Sequence, residues 1–340
     1  NITILMITIL TINARGLNKR WKRQHIYNLS EYDIICIQET HWDERCMIEV
    51  KKEWTGEIYS NNGDGKARGV AILVKKGAVG KVKMCENDGE GRLIAIKFKH
   101  MNEEIKLINI HAANTEKERR MMFEQMGVMC ESNSLIVGDF NVWCGKLDVS
   151  GKMKFKNDSS RGALQKIKRE KKLCDVWRER NPEAKVFSRK QVVKGELKQS
   201  RIDLVLSTKK LAETIGEIQY KITTLSDHMM LKFTLGQETK TRGGGVWCLN
   251  GELLKEKKYK EGVREYIKWE MNERMYEEDI GRWWEKLKEG IKEISKKYGR
   301  NKSKKGKERE KWLVREIERE EEKAEKEENY DTKEYIKKKK

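Results

Sequence analysis

Carboxylate, amide and imidazole side chains recur in this sequence at the points where short apolar runs end. Asn13 ends the first run, Glu39 follows the run DIICIQ, and His111 ends the run INIH. A polar residue at one strand end is usually part of a turn. Strand ends of a single sheet sandwich can nevertheless meet at one face, so we expect these side chains to lie close together.

Three later segments continue the pattern. Asp139 and Asn141 lie in GDFN, Asp203 lies in RIDLVL, and Asp227 and His228 lie in SDH. Two of the five histidines of the chain are thus at such ends, and no lysine is among them. Together these segments indicate a functional site, which none of them would indicate alone.

A set of this kind suits the cleavage of phosphodiester bonds. A hard cation neutralises the charge that develops on the phosphate, and Mg2+ takes few protein carboxylates and keeps several waters. We predict Mg2+, with Mn2+ as an alternative, and Glu39 as its ligand, with Asn13 or Asp227 as a neighbouring ligand.

The other members of the set suit proton transfer and charge stabilisation. Asp139 would accept a proton from the attacking water or orient it, and Asn141 would help to place the water and the phosphate. His228 would supply positive charge if a carboxylate raises its pKa, and Asp203 is the expected partner. His111 would donate to a phosphate oxygen or protonate the leaving oxygen. The sequence contains no GxSxG motif, and the reaction needs no covalent nucleophile.

The elements that must position these residues alternate between β-rich runs and helical stretches. The predicted strands are Ile2–Ile12, Asp33–Gln38, Gly69–Lys75, Arg92–Phe98, Glu104–Ile110, Ser134–Gly138, Arg201–Leu206 and Met230–Leu235. The predicted helices are Lys19–Ser30, a helix capped by Thr115 and running to about Met129, and Ser160–Leu173. This order predicts an α/β fold in which two packed sheets carry outer helices.

The motifs around Asn13, together with IQET, NIHAAN, GDFN, RIDLV and SDH in that order, resemble the endonuclease/exonuclease/phosphatase superfamily. The segments NARGLNKRWKRQHI, CIQETHW, GVAILVKKG and LINIHAANT are most similar to the endonuclease domain of LINE-type non-LTR retrotransposon polyproteins. The resemblance covers residues 1 to about 235. It implies a four-layered α/β sandwich, metal-dependent hydrolysis and the residue roles given above.

The same resemblance implies that the protein nicks one strand of target DNA and that a reverse transcriptase domain follows in the full polyprotein. We expect a monomer that acts on DNA inside the cell, in the nucleus. Two departures concern the site. Related elements usually have Tyr at the position of His111, and VFS at Val186–Ser188 lacks the Thr often found before the aromatic residue.

Two further residues are candidates for substrate contact. Arg15 would contact a phosphate, and Trp143 would stack on a base or enter a groove. A surface arginine and a rim-packing tryptophan are the alternatives, and the same alternatives apply to Trp42.

The overall charge favours a polyanionic partner. Lys and Arg total 74 against 55 Asp and Glu, a net charge of +19, which favours nucleic acid first and an anionic membrane surface second. The apolar run Ile2–Ile12 is too short to span a bilayer, so we predict no membrane partner. Seven cysteines without a CxxC pair argue against a disulfide framework or a zinc site, and for a reducing compartment.

The chain changes character after residue 236, where 56 of the last 104 residues are charged. We predict an endonuclease domain over 1–236, an amphipathic helical linker over 237–299 and a charged helical or disordered tail over 300–340, with a flexible break at Thr241–Gly245. An apolar stripe at helical spacing marks the linker. Its residues are Trp283, Trp284, Leu287, Ile291, Ile294 and Tyr298.

A basic hinge is expected at Arg300–Lys307. The tail is predicted to be a solvated linker, with nucleic-acid binding as the alternative.

Three functions remain open from the sequence. The first is a DNA-nicking endonuclease. The second is another hydrolase of the superfamily, with apurinic/apyrimidinic repair as the nearest competitor and lipid or inositol phosphate substrates behind it. The third is a decayed copy that binds nucleic acid without turnover.

Overall fold

The structure is a computed structural model that describes residues 6–150, 153–236, 247–273, 279–327 and 330–339. Its strands are β1 (Met6–Asn13), β2 (Ile34–Gln38), β3 (Glu57–Asn61), β4 (Val70–Val74), β5 (Val82–Asn87), β6 (Leu93–His100), β7 (Glu103–His111), β8 (Ser134–Asp139), β9 (Leu173–Asp175), β10 (Arg189–Val193), β11 (Glu196–Ser200), β12 (Asp203–Thr208), β13 (Ile215–Lys221) and β14 (Met230–Gly236). Its helices are α1 (Arg20–Tyr27), α2 (Glu44–Glu53), α3 (Glu116–Met129), α4 (Ser159–Glu170), α5 (Val176–Arg180), α6 (Lys209–Ala212), α7 (Lys257–Glu273), α8 (Ile280–Lys326) and α9 (Lys333–Lys339).

The first six-stranded sheet has the order β13–β14–β1–β2–β4–β3. Strands β1 and β2 are parallel and the other neighbours are antiparallel, so the sheet is mixed. Every residue of β2 and β4 is buried, as expected for aliphatic runs that are covered on both faces. The register pairs Asn13 with Gln38, which brings the ends of β1 and β2 to the same level.

The second six-stranded sheet has the order β5–β6–β7–β8–β12–β9 and is also mixed, with β7 and β8 parallel. Strands β10 and β11 form a separate antiparallel pair. In the second sheet, the register places Asp139 opposite both His111 on β7 and Asp203 on β12. Three of the predicted site residues therefore stand side by side on adjacent strands.

Three apolar clusters define the four layers of the sandwich. One cluster joins the two sheets and includes Ile9 and Cys36 from the first and Ile96 and Val137 from the second. A second cluster packs α3 and α4 on the outer face of the second sheet. A third packs α1 and α2 on the outer face of the first sheet. The predicted four-layered α/β sandwich is confirmed.

Several strands escaped prediction from the sequence because they lack a buried apolar run. Strand β5 is largely exposed, and the β10–β11 pair is mostly polar (RKQVV and ELKQS). Strand β9 has only three residues. The first predicted strand is present from Met6, and its residues 2–5 lie outside the described part of the chain.

The helix ends also differ in detail from the expectation. Thr115 stands at the start of α3 without capping it, because its hydroxyl donates to the Glu118 carboxylate (2.9 Å). Helix α4 begins at Ser159 and is capped by Asp158, which accepts from the backbone N–H of Ser160. A carboxylate at this position also interacts favourably with the positive end of the helix dipole, which stabilises the helix.

The described chain divides into two compact units, Asn1–Thr239 with Glu322–Lys340, and Lys240–Glu321. In the second unit, α7 packs on α8 through Tyr259, whose hydroxyl lies 2.7 Å from that of Ser295, and through Trp283, which donates to the Glu270 carbonyl. Trp284 of the predicted stripe is instead 51% exposed. The C-terminal region is helical, as predicted.

The predicted hinge at Arg300–Lys307 is wrong. Helix α8 runs unbroken from Ile280 to Lys326, because a run of lysines and arginines has good helix propensity even without a core. The predicted break at Thr241–Gly245 lies outside the described residues. Among the helices that the structure describes, none is long and apolar enough to cross a membrane.

Candidate active site

The site begins with a histidine held by a buried carboxylate. His228 Nδ1 lies 2.9 Å and 3.1 Å from the two carboxylate oxygens of Asp203, and both residues are almost fully buried. Burial by itself lowers the pKa of His228, but the charges of Asp203 and Asp139 outweigh it and raise this pKa to about 9. A pKa of about 9 favours the positively charged form of the ring at neutral pH.

Asp139 faces the other nitrogen of the same ring. Its Oδ2 lies 3.8 Å from His228 Nε2, and its Oδ1 accepts from the backbone N–H of Asn141 (2.9 Å). Burial and the nearby charge of Asp203 raise the pKa of the Asp139 carboxyl. A carboxylate with a raised pKa is a better proton acceptor than an ordinary aspartate.

Glycine precedes Asp139 for a steric reason. Gly138 has φ +133°, and a Cβ at this position would lie 2.0 Å from the Ile110 carbonyl oxygen. The first letter of GDFN is thus dictated by the close approach of β7 to β8.

Asn13 connects Asp139 on the second sheet with Glu39 on the first. Its side-chain nitrogen donates to Glu39 Oε1 and to Asp139 Oδ2, both at 2.9 Å, and its oxygen accepts from the Arg15 N–H. The amide therefore bridges the two sheets at the site. Its role as a metal ligand, which would use the oxygen, stays a prediction.

Glu39 lies between two histidines. Its carboxylate oxygens are 3.4 Å from His111 Nε2 and 3.4 Å from His41 Nε2, and a quarter of its side chain is exposed. Burial raises the pKa of Glu39, but hydrogen bonds from His111, His41 and Asn13 lower it well below its usual range. These hydrogen bonds thus favour the ionised form of Glu39, whose side chain is partly exposed.

Four residues in and next to the site have a strained backbone conformation. Glu39, His41, Arg15 and Asn141 all have φ between 47° and 54°, in the left-handed region that side chains other than Asn and Asp avoid. Such conformations persist where the surrounding fold imposes them, and they cluster at functional sites.

Arg15 and Asp227 form an ion pair at the edge of the site. Their side chains lie 2.9 Å apart, and the Arg15 side chain is 48% exposed, as a phosphate-binding residue requires. The Asp227 carboxylate is also 3.7 Å from Arg189 Nε. Trp143 is partly exposed, and its ring packs 6.2 Å from that of Phe155, centroid to centroid. Trp42, by contrast, is fully buried in the core, so it cannot contact a substrate.

One cluster of potential metal-ligating atoms stands out among the described residues. Ligand atoms of Asp139, Asp203 and His228 all lie within 4.8 Å of one another, and all three residues are buried. Glu39 and Asp227, the predicted ligands, are not part of that cluster. The structure therefore brings the predicted catalytic residues together most tightly, with Glu39 joined to them through Asn13.

Comparison with known proteins agrees with this geometry. A model of the Endonuclease/Exonuclease/phosphatase family matches residues 10–228, which run from β1 to His228. The chain belongs to this family. The family resemblance drawn from the motifs is thereby confirmed.

One relative found by sequence comparison is a transposon protein. "Transposon TX1 uncharacterized 149 kDa protein" from Xenopus laevis is 24% identical over 306 residues, which are 86% of this chain and 23% of that protein. The chain thus spans less than a quarter of this relative.

Solved structures show the shared fold. The endonuclease domain of TRAS1, a telomere-specific non-LTR retrotransposon, has a TM-score of 0.53 and 16% identity and covers 68% of this chain and all of that chain. The AP endonuclease LMAP from Leishmania major has a TM-score of 0.56 and 16% identity, covering 68% and 88% of the two chains.

In this member of the family, a buried amide pair lies directly beneath the site. Gln38 Nε2 donates to Asn109 Oδ1 (2.6 Å) and to the Thr11 hydroxyl (2.9 Å), while the Asn109 amide nitrogen donates to carbonyls of Ile37 and Ala71. Thr11, Gln38 and Asn109 each precede a site residue by one or two positions. The pair therefore fixes β1, β2 and β7 relative to one another.

Sequence reasoning missed this pair, and also His41 and Ser188. The Ser188 hydroxyl donates to Asp203 Oδ2 (2.6 Å) and accepts two backbone N–H groups, so it holds the Asp203 carboxylate in place. It follows Phe187, in the segment where a threonine was expected, and its hydroxyl anchors the site from there. A signal was available for Gln38 and Asn109, since both are polar residues inside otherwise apolar runs.

Proposed function

We propose that this protein is a metal-dependent phosphodiesterase that nicks one strand of duplex DNA by hydrolysis. The observation that carries the proposal is the chain of contacts from Asp203 through His228 to Asp139, and from Asp139 through Asn13 to Glu39. This arrangement offers a proton acceptor, a positive charge and an ionised carboxylate in one connected set of contacts. Attack of water on a phosphodiester needs these three groups.

The residues of the site fit Mg2+ as the cofactor. Glu39 favours its ionised form and is partly exposed. Asp227 Oδ2 is buried, and apart from its ion pairs with Arg15 and Arg189 it has no hydrogen-bond partner among the described residues. Glu39 would hold the ion, with Asp227 or Asn13 as a neighbouring ligand, and the metal would neutralise charge on the phosphate. Mn2+ has similar ligand preferences and is expected to substitute.

The chain's own residues supply the rest of the chemistry. Asp139 would orient the attacking water and accept its proton, while Asn141 helps to place the water and the phosphate. His228, oriented by Asp203, would stabilise negative charge on the phosphate. His111 would donate to a phosphate oxygen or to the leaving oxygen, and Arg15 and Trp143 would contact the backbone and a base.

Supercoiled plasmid nicking in Mg2+ tests the proposal. We expect the chain to convert the plasmid to the open circle, and Glu39→Ala and His228→Ala to lose this activity. His25→Ala, a change of an exposed histidine on α1, serves as the matched control and should nick normally. Nicking that persists equally in all three variants would come from a contaminant and would refute the assignment.

Apurinic/apyrimidinic cleavage is the second candidate, and the similarity to the LMAP fold supports it. Duplexes of one sequence, with and without a single abasic site, separate the two functions. Strong preference for the abasic duplex would favour repair. DNA binding without any Mg2+-dependent turnover would instead point to a decayed copy that binds nucleic acid.

The transposon relative supports a place for this domain in a longer polyprotein. We propose that a reverse transcriptase domain follows it there, that the domain acts as a monomer, and that its nick provides the primer end in the nucleus. Sequencing the neighbouring reading frame tests the first point directly.

A further inference from the structure

Helix α8 carries a row of five cations on one side. Lys297, Arg300, Lys304, Lys307 and Lys311 follow one another at spacings of three and four residues, which places them on one face of a helix. We call these five residues the basic stripe. All five are exposed.

The stripe points away from the packed side of α8. In the second unit, α8 contacts α7 through Tyr298, whose ring lies 5.4 Å from that of Tyr259, and through Ser295. At about 100° per residue, the stripe lies on roughly the opposite side of the helix. The five cations therefore play no part in holding α7 and α8 together.

Other cations of α8 are neutralised within the helix. Lys288, Lys292 and Lys296 each form an ion pair with the glutamate three residues earlier, at 2.6 Å, 2.9 Å and 2.7 Å. Arg319 pairs with Glu316 in the same way. Three such pairs thus precede the stripe, and one follows it.

The pattern stops where the stripe begins. No acidic residue occurs between Glu293 and Glu308. Within the residues that the structure describes, none of the five stripe cations has an acidic group within ion-pair distance. Like charges at three- and four-residue spacing destabilise a helix, so this surface is unfavourable unless an anionic partner covers it.

Two helix-weakening residues lie within the same segment. Gly299 and Gly306 have open space where a Cβ would stand, so close packing does not require glycine at either position. The intrinsic propensity of Lys and Arg favours a helix here, but repulsion between like charges and two glycines both weaken it. A bound polyanion would supply the missing stabilisation.

We propose that the basic stripe is a second nucleic-acid-binding surface, separate from the active site, and that it binds the phosphate backbone of duplex DNA. The stripe is about 21 Å long at 1.5 Å per residue. Each strand of duplex DNA carries a phosphate about every 3.4 Å of axis, so about six phosphates face that length. Five cations in a straight row match such a regular line of charge.

The neighbouring residues disfavour a membrane as the partner. Asn301, Ser303 and Lys305, exposed residues between the stripe cations, are polar or charged. A helix that lies in a lipid interface needs apolar side chains beside its cations. Apart from Tyr298, which packs against α7, the segment from Lys297 to Lys311 has none.

This surface is tested by binding alone, in a Glu39→Ala background that cannot cleave. The stripe variant changes all five cations to Gln. The matched control changes Lys255, Lys257, Lys288, Lys292 and Lys296 to Gln, which removes the same charge from ion-paired positions of the same unit. Fluorescence anisotropy with a 30-base-pair DNA duplex is followed from low to high salt.

We expect the stripe variant to lose affinity at least about tenfold at 0.1 M salt, and its slope of log K against log salt to flatten by about 3 to 5, since each neutralised phosphate contributes about 0.9. The control should lose less than about threefold. Circular dichroism should show both variants as helical as the parent.

Three results would overturn the proposal. Equal losses in the two variants would mean that only net charge matters. A larger loss of binding to an RNA duplex than to DNA would assign the surface to RNA. A loss confined to vesicles of anionic lipid would assign it to a membrane. The binding assay does not depend on turnover, so a chain that fails to nick plasmid would refute the proposed function and leave this test intact.

Discussion

The sandwich and the α7–α8 unit differ in whether their charged side chains are buried or exposed. In the sandwich, charged groups around the site are buried and closely paired. Asp203 with His228 is one example, and Arg201, whose guanidinium lies 2.7 Å from both Asp148 and Asp175, is another. In the α7–α8 unit, ion pairs such as Glu285–Lys288 lie in solvent, and the basic stripe carries no ion pair in the part of the chain that the structure describes.

This difference follows from the local dielectric environment. A buried charge that loses its partner costs about 3–5 kcal/mol, whereas an exposed pair contributes about 0–1 kcal/mol. Buried pairs therefore hold side chains in one geometry, as catalysis requires. Exposed cations do not hold their side chains in one geometry. They attract anions over a distance, which suits binding to a polyanion.

The largest effect is expected at the most deeply buried pair of the site. Asp203→Asn should lower the plasmid-nicking rate by about 10^3- to 10^4-fold, because without the charge of Asp203 the pKa of His228 falls and the ring loses positive charge at neutral pH. Single-turnover rates measure this, with Asp64→Asn, a change of an aspartate on an exposed loop, as the control. A rate within about tenfold of the parent would show that the pair is only structural.

Arg201 offers the most direct contrast between the two regions. Arg201→Gln leaves Asp148 and Asp175 without their shared cation and should lower the free energy of unfolding by about 3–5 kcal/mol. Lys288→Gln in the α7–α8 unit should change it by less than about 0.5 kcal/mol. Urea unfolding followed by circular dichroism measures both. Similar costs at the two positions would show that burial does not set the strength of these pairs.

The raised pKa of His228 predicts how stability changes with pH. The folded value of about 9 exceeds the usual value of about 6.5, so protonated His228 adds stability that is full below about pH 6.5 and is lost as the pH rises through about 9. In EDTA, the parent should lose about 3 kcal/mol more unfolding free energy between about pH 6 and about pH 10 than His228→Gln does. Equal losses of unfolding free energy in the parent and in His228→Gln, measured by urea titration at both pH values, would contradict the raised pKa of His228.

The smallest effect is expected for the amide pair beneath the site. Gln38→Leu leaves Asn109 Oδ1 and the Thr11 hydroxyl without this donor and should lower the free energy of unfolding by about 1–3 kcal/mol. Because Gln38 is fully buried and touches no substrate, kcat should fall while KM stays nearly unchanged. Gln125→Leu, an exposed position, is the control. A rise in KM alone would place Gln38 in substrate binding.

The sequence was sufficient to predict the family and the central strands, because these depend on ordered polar motifs and on continuous apolar runs. The order of Asn13, Glu39, GDFN and SDH was sufficient to infer the fold family, and apolar runs such as those of β2 and β4 were sufficient to place the central strands. Sequence reasoning failed for β5 and the β10–β11 pair, because exposed polar strands carry no hydrophobic period. It also failed at Arg300–Lys307, where a run of like charges suggested a break, although lysine and arginine favour a continuous helix.

The sequence by itself determined the candidate residues of the site and the central strands that carry them, because a buried strand is aliphatic and its polar end residues therefore stand out. Only the tertiary structure decided which residues meet. The pairing of Asp203 with His228, the bridge from Asn13 to Glu39 and Asp139, and the contact of Gln38 with Asn109 join positions 25 to 126 residues apart. Such contacts depend on strand order and register, which local sequence does not encode.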